Sequence, residues 1–269
     1  MRTALTIAGS DSIAGAGIQA DLKTFAALGV YGVSALTAVT AQNTTGVADV
    51  FALSPRTVRA QIDQLAADVE IAAVKTGMLA TAEIVRAVVE AVGRLQIRNL
   101  VVDPVMASGL DGGRTLLEPE AVSIMKTHLL PKAAVVTPNV AEAAALCGIQ
   151  VDSMSAAREA ARRIAGSGAA AVVIKGGHLQ GPLAIDLLFH EGLFIELEAP
   201  RAAFENVHGT GCTFASAIAA GLALGDDIPA AVRRAKRYTT GAIEHSFEIG
   251  QGARLLNHFW EAPSPRRDG

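Results

Sequence analysis

Short aliphatic runs, each ending at a polar or glycine-containing corner and followed by a stretch of helical period, recur along most of this chain. Residues 4–8, 33–40, 72–76, 100–102, 133–137 and 171–175 read as strands. Most are near-continuous aliphatic runs, with polar residues mainly at their ends, as strands are when both faces of a sheet are covered. Between them lie predicted helices at 18–29, 54–69, 81–95, 118–130, 139–146 and 155–167. Two more follow at 212–224 and 229–245. Ser54-Pro55 is a good helix start, serine as cap and proline in the first turn. Segments 186–189 and 193–197 flank Glu191-Gly192 and read as a hairpin. Such alternation predicts a mostly parallel sheet with right-handed crossovers and helices on both faces. No linker or internal repeat divides residues 1–269, so one domain is expected, with a loose tail at 262–269.

Composition agrees: hydrophobic residues make up 51% and aromatics only 4%, so aliphatic side chains can fill a large layered core. A net charge of −3 gives no reason to expect nucleic acid or an anionic membrane as a partner. Cys147 and Cys212 lack metal-ligand spacing and read as reduced thiols of a cytoplasmic protein. The first residues do not resemble a signal peptide, and no apolar run reaches membrane-spanning length.

In an open sheet of this kind ligands bind beyond the carboxyl ends of the strands. Polar residues collect there: Ser10-Asp11, Gln42-Asn43, Gly77-Met78, Asp103, Asn139 and Lys175. The most informative stretch is Asn206-Val207-His208-Gly209-Thr210-Gly211-Cys212-Thr213, just ahead of a small-residue helix. A glycine turn feeding a helix N-terminus offers unpaired N–H groups and partial positive charge, a cradle for phosphate. Cys212 in the first turn is expected to be a thiol with lowered pKa, hence a base or nucleophile. The plainer alternative is a glycine turn before a buried helix.

Other motifs carry two readings each. Gly15-Ala16-Gly17-Ile18-Gln19-Ala20 fits a dinucleotide pattern, but it lies too far from the preceding strand and lacks the acidic partner. Asn139 with Glu142 forms a capping-box pattern, or Glu142 holds a magnesium ion through water. Lys175-Gly176-Gly177-His178 is a phosphate-facing strand end or a tight turn. Gln42 is a loop residue, or reads a heteroaromatic ring with its paired donor and acceptor. Met78 is more often core filler, and His208 reads as a turn-stabilising histidine.

Taken together these segments resemble the hydroxymethylpyrimidine/phosphomethylpyrimidine kinases of thiamine biosynthesis, members of the ribokinase-like superfamily. The likeness rests on residues 8–11, 15–24, 40–44, 75–79, 102–106, 137–139, 142–144, 175–178 and 208–213, in the family's order. It implies a three-layer α/β/α sandwich and an ATP- and Mg²⁺-dependent kinase, commonly a homodimer. It further implies that Gly9, Asp21, Gln42 and Val105, with Met78 nearby, contact the pyrimidine. Asn139, residues 175–179, Asp186 and Gly211 would contact ATP, and Glu142 would hold magnesium. Gly209, Thr210, Gly211 and Cys212 would form the anion hole, Cys212 standing where most of the superfamily has Asp. Two departures stand out. The opening loop reads Ser12-Ile13-Ala14-Gly15-Ala16-Gly17, where the family usually has Ser-Ser-Gly-Gly-Ala-Gly. Ala107 precedes Ser108-Gly109 where a Lys is usual. The nearest alternative is a pyridoxine or pyridoxal kinase; a cysteine hydrolase and a non-catalytic pyrimidine sensor are more distant.

Overall fold

A computed structural model describes residues 1–110, 113–177, 183–202, 204 and 206–262. The strands are β1 (Thr3–Asp11), β2 (Tyr31–Asn43), β3 (Gly46–Ala52), β4 (Ala73–Thr76), β5 (Leu100–Val102) and β6 (Val135–Val136). They continue with β7 (Ala171–Ile174), β8 (Leu183–His190), β9 (Leu193–Pro200), β10 (Val207–His208) and β11 (Arg254–Leu255). The helices are α1 (Gly17–Ala27), α2 (Pro55–Asp68), α3 (Ala82–Arg94), α4 (Pro119–Ile124), α5 (Val140–Cys147), α6 (Met154–Ala165), α7 (Thr210–Leu224) and α8 (Ile228–Glu244).

One sheet runs in the order β3-β2-β1-β4-β5-β6-β7-β8-β9. The strands from β2 to β7 are mutually parallel, while β3, β8 and β9 are antiparallel additions at the two edges. The order reverses at β1, which lies between β2 and β4, and such a switch point opens a crevice at the strands' carboxyl ends.

Period-two geometry explains the unbroken aliphatic runs. Leu5, Ile7, Val74, Leu100, Val102, Val136, Val172 and Ile174 enter the core shared with α2 to α6. Their neighbours Ala4, Ala73, Val101, Val135, Ala171 and Val173 enter the core under α1, α7 and α8. Side-chain oxygens cap five of the helices: Ser54 accepts from Thr57, Thr81 from Ile84, Asn139 from Glu142, Ser153 from Ala156 and Asp227 from Ala230. The expected layered sandwich is therefore present.

Three local expectations need correction. The predicted 118–130 helix is short: α4 ends at Ile124 and continues as a wider turn over Met125–Leu129 and a 3-10 turn over Leu130–Lys132. Pro131 has no N–H and cannot extend an α-helix from within. The polar turn at 43–46 leads into an unanticipated edge strand, β3, because Asn43 Oδ1 accepts from the Thr45 and Gly46 amides and turns the chain back on β2. The parallel pair β10–β11 is also new; two residues each are too short to show a period. The tail predicted to be loose lies, beyond residue 262, outside the described residues.

The chain's C-terminal segment clamps α7. His258 is buried, its Nε2 lies 3.0 Å from Thr213 Oγ1, and Tyr238 donates to its carbonyl at 2.6 Å. Burial first, then the nearby Lys23 charge, pushes the imidazole down to about 4. The folded chain thus refuses a proton that the unfolded chain accepts near its ordinary value of 6.5. Stability from this site is complete above that value and is lost as pH falls toward 4, by ~3 kcal/mol. Denaturant midpoints measured across this window should fall with pH in the wild type and much less in His258→Gln.

Candidate active site

Gly209 starts α7 with φ of +85°, and no side chain caps this helix. A Cβ at Gly209 would lie 1.8 Å from the Gly15 carbonyl oxygen, so the loop between β1 and α1 rests directly on the glycine turn. Both the left-handed φ and the contact demand glycine. The first-turn amides of Thr210, Gly211 and Cys212 have no partner within the helix. A Cβ at Gly211 would stand 3.1 Å from Lys175 Nζ and 3.8 Å from Asp103 Oδ2, so an ammonium and a carboxylate sit at the helix entrance.

Beneath that entrance Lys75 and Asp21 form an ion pair at 2.8 Å, with both side chains 0% exposed. Asp21 also receives the hydroxyls of Thr6 and Ser216, each at 2.6 Å. The pair joins β1, α1, β4 and α7. Asp21, expected to contact the pyrimidine, is enclosed here and committed to four donor contacts, and it forms the floor under the site. Burial alone would push the Lys75 ammonium down, but Asp21, Cys212 and Asp103 hold it above the ordinary range.

Cys212 also differs from expectation. Its thiol is pushed up to about 11, chiefly by burial, with Asp21 and Asp103 adding to the shift and Lys75 opposing it. The helix end does not overcome loss of water plus two nearby carboxylates, so the expected thiolate is a neutral thiol in this form.

Lys175 follows β7 and pairs with Asp103 at 2.8 Å, with Glu142 at 3.8 Å. Thr137 donates to the same Asp103 oxygen at 3.1 Å. Asn139 and Glu142 form the capping box of α5: Glu142 N–H donates to Asn139 Oδ1 at 2.9 Å, and Asn139 N–H to Glu142 Oε2 at 2.7 Å. Burial, with a smaller push from Asp103, raises the Glu142 carboxyl to about 7, although Lys175 and the Asn139 and Met106 N–H groups pull it down. Two carboxylates thus share one ammonium. Among the described residues no group of three or more acidic, His or Cys side chains converges as a ready metal cage.

Asp186 on β8 is buried; it accepts from Gly176 N–H at 2.9 Å and from Lys236 Nζ at 2.8 Å. It shapes the turn through Lys175, Gly176 and Gly177. His178 and Leu179 lie outside the described residues.

On the β1–β2 side, the Met78 methyl lies 2.5 Å from where a Cβ of Gly9 would be. Met78 packs with Ala38, Ala80 and Val105 to form an apolar wall. Gln42, half-buried on β2, reaches His208 Nε2 at 3.0 Å, which in turn lies 2.9 Å from Asp11 Oδ2. Asp11 also receives the amides of Ile13, Gly15 and Ala16. Burial would raise its carboxyl, but the His208 contact and the Ala16 and Ile13 amides bring it below the usual range. Asp11, Lys75 and Asp103 were not singled out as site residues from sequence; their place at strand ends was the one signal available.

The opening loop contains a strained residue. Ala14 holds φ of +58°. An L side chain costs about 1–2 kcal/mol there, part of which glycine returns through greater unfolded-state freedom. Ala14→Gly is expected to stabilise the chain by roughly 0.5–1 kcal/mol, read as a raised denaturation midpoint.

Comparison with known proteins gives a consistent result. The phosphomethylpyrimidine kinase family model matches residues 11–257. A hydroxymethylpyrimidine/phosphomethylpyrimidine kinase of Rhizobium meliloti is 50% identical over 95% of this chain and 96% of its own length. The thiamine biosynthesis bifunctional protein of Geobacter sulfurreducens is 47% identical over 97% of this chain, which spans about half, 53%, of that relative. A pyridoxal kinase from Staphylococcus aureus, solved with AMP-PCP and pyridoxal, superposes with a TM-score of 0.90 at 37% identity, covering 97% of this chain and 95% of that one.

Proposed function

The chain belongs to the phosphomethylpyrimidine kinase family, and on that premise we propose that it is an ATP- and Mg²⁺-dependent kinase of thiamine biosynthesis. Its acceptors are 4-amino-5-hydroxymethyl-2-methylpyrimidine and then the monophosphate formed from it. The acceptor oxygen attacks the γ-phosphorus, the bond to ADP breaks, and the acceptor's proton passes to a base. Such a transfer depends on positioning and charge neutralisation more than on covalent help.

The observation that carries this reading is the uncapped start of α7 with Lys175, Asp103 and Cys212 gathered at it. The amides of Gly209 to Cys212 hold charge developing on the transferred group. Lys175, Gly176, Gly177 and Asn139 border the ATP side, with Asp186 shaping the turn. Gly9, Met78, Val105 and Gln42 border the acceptor. The negative excess of Asp103 and Glu142 over Lys175 suits a divalent cation that takes its remaining ligands from water and phosphate. When bound, that cation neutralises phosphate oxygens. A cysteine hydrolase needs an activated thiolate, which the desolvation of the partly buried Cys212 and its neighbours Asp21 and Asp103 disfavour.

The likeness to a pyridoxal kinase supports one alternative, phosphorylation of pyridoxine or pyridoxal. A coupled assay of ATP consumption with the pyrimidine alcohol, its monophosphate and pyridoxine separates the two. Highest kcat/KM on the pyrimidines is expected; a clear preference for pyridoxine would transfer the assignment to the alternative.

A further inference from the structure

We propose that Asp11 and His208 are positioning residues that fix which end of the Gln42 carboxamide meets the acceptor, and thereby set preference for an aminopyrimidine. This deepens the kinase reading and rests on it. Asp11 is 3% exposed, and its two oxygens are held by the amides of Ile13 at 3.1 Å, Gly15 at 3.0 Å and Ala16 at 2.8 Å. A carboxylate only accepts, so the His208 Nε2 that lies 2.9 Å away carries a proton. That nitrogen then has no lone pair for an amide N–H. The structure sets the Gln42 Nε2 against it at 3.0 Å, which would bring N–H against N–H. Amide ends are assigned rather than seen, and the hydrogen-bond pattern turns this one over, so that the carbonyl oxygen shares the imidazole proton with Asp11.

The other end of the amide accommodates the same orientation. The structure sets Gln42 Oε1 there, 3.1 Å from Thr40 Oγ1, which also lies 2.9 Å from the Ser10 carbonyl; the hydroxyl has one proton for the two acceptors, and the shorter contact takes it. That hydroxyl oxygen is left to accept, so the amide end beside it is the NH₂. With the amide turned the other way, N–H would meet N–H on one side, and two acceptors would meet on the other. The His208 ring is also unable to swing away: it is 8% exposed, and its Cδ2 lies 2.5 Å from where a Cβ of Gly15 would be.

One N–H and one carbonyl lone pair of Gln42 remain outside these contacts. Their pattern matches a ring nitrogen next to an exocyclic amine, the edge of a 4-aminopyrimidine. Pyridoxine carries no amine beside its ring nitrogen. Asp11 and His208 act through Gln42 and need touch no substrate themselves.

The test is a double-mutant cycle of His208→Phe and Gln42→Ala, with steady-state kinetics on the pyrimidine alcohol and on pyridoxine. His208→Phe should raise the pyrimidine KM about tenfold and lower the pyrimidine-to-pyridoxine ratio of kcat/KM by a similar factor. That effect should vanish in the Gln42→Ala background. His208→Gln can give one N–H to Asp11 and another to Gln42, and should recover the ratio. Additive effects, or an unchanged ratio, would overturn the proposal. If His208→Phe fails to fold, the ¹⁵N spectrum of the wild-type protein decides: a protonated Nε2 supports the assignment and a bare one refutes it. A wild-type preference for pyridoxine would sink the kinase assignment instead, while His208–Gln42 coupling could still be measured on that alcohol.

Discussion

Lys75→Met should destabilise the folded chain by about 3–5 kcal/mol, the cost of leaving a buried carboxylate without its counter-charge. Asp21 and Lys75 are both 0% exposed, and two of the four contacts on the Asp21 oxygens come from Lys75. No water can replace the lost ammonium at that depth. Because globular domains are stable by only about 5–15 kcal/mol, this one change removes a large share of the total. Urea denaturation reads it as a lowered midpoint with little change in slope. Pairing Lys75→Met with Asp21→Asn should recover much of the loss, since removing both charges leaves only hydrogen-bonding differences. A cost below about 1 kcal/mol for Lys75→Met would mean that the buried carboxyl is not charged.

Cys212→Ala should lower kcat by roughly 10²–10⁴-fold while ATP still binds, the range expected for loss of a general base. The thiol's high resting value, about 11, adds a pH signature. If the thiolate is the active form, kcat/KM of the wild type rises with pH through the neutral and mildly alkaline range, because that ratio reports the free enzyme. Cys212→Asp supplies a more acidic group at the same place, so the alkaline rise should flatten. Lys75 is the main influence lowering the thiol, which links the two predictions: its loss should push the alkaline rise still higher. Wild-type turnover in Cys212→Ala would show that the thiol does not take the proton.

The layered sandwich was legible because it rests on local rules. Aliphatic runs such as residues 100–102 and 171–174 are apolar on every position, and only a sheet covered on both faces buries them so. The capping box at Asn139 and the serine-proline start of α2 are equally local and read correctly. Edge strand β3 and the two-residue β10 and β11 were not legible, since pairing rather than period defines them.

The sequence by itself determined that polar residues gather at one end of a parallel sheet and that a glycine turn feeds a helix there. Tertiary structure alone decided what those residues are. It buried Asp21 against Lys75, kept the Cys212 thiol neutral, and joined His208 to Asp11 and Gln42 across 197 and 166 positions of chain. The physical reason is that helical caps and strand periods act over a few residues. The charge state of a buried group, by contrast, depends on its dielectric surroundings and on neighbours that only folding brings within reach.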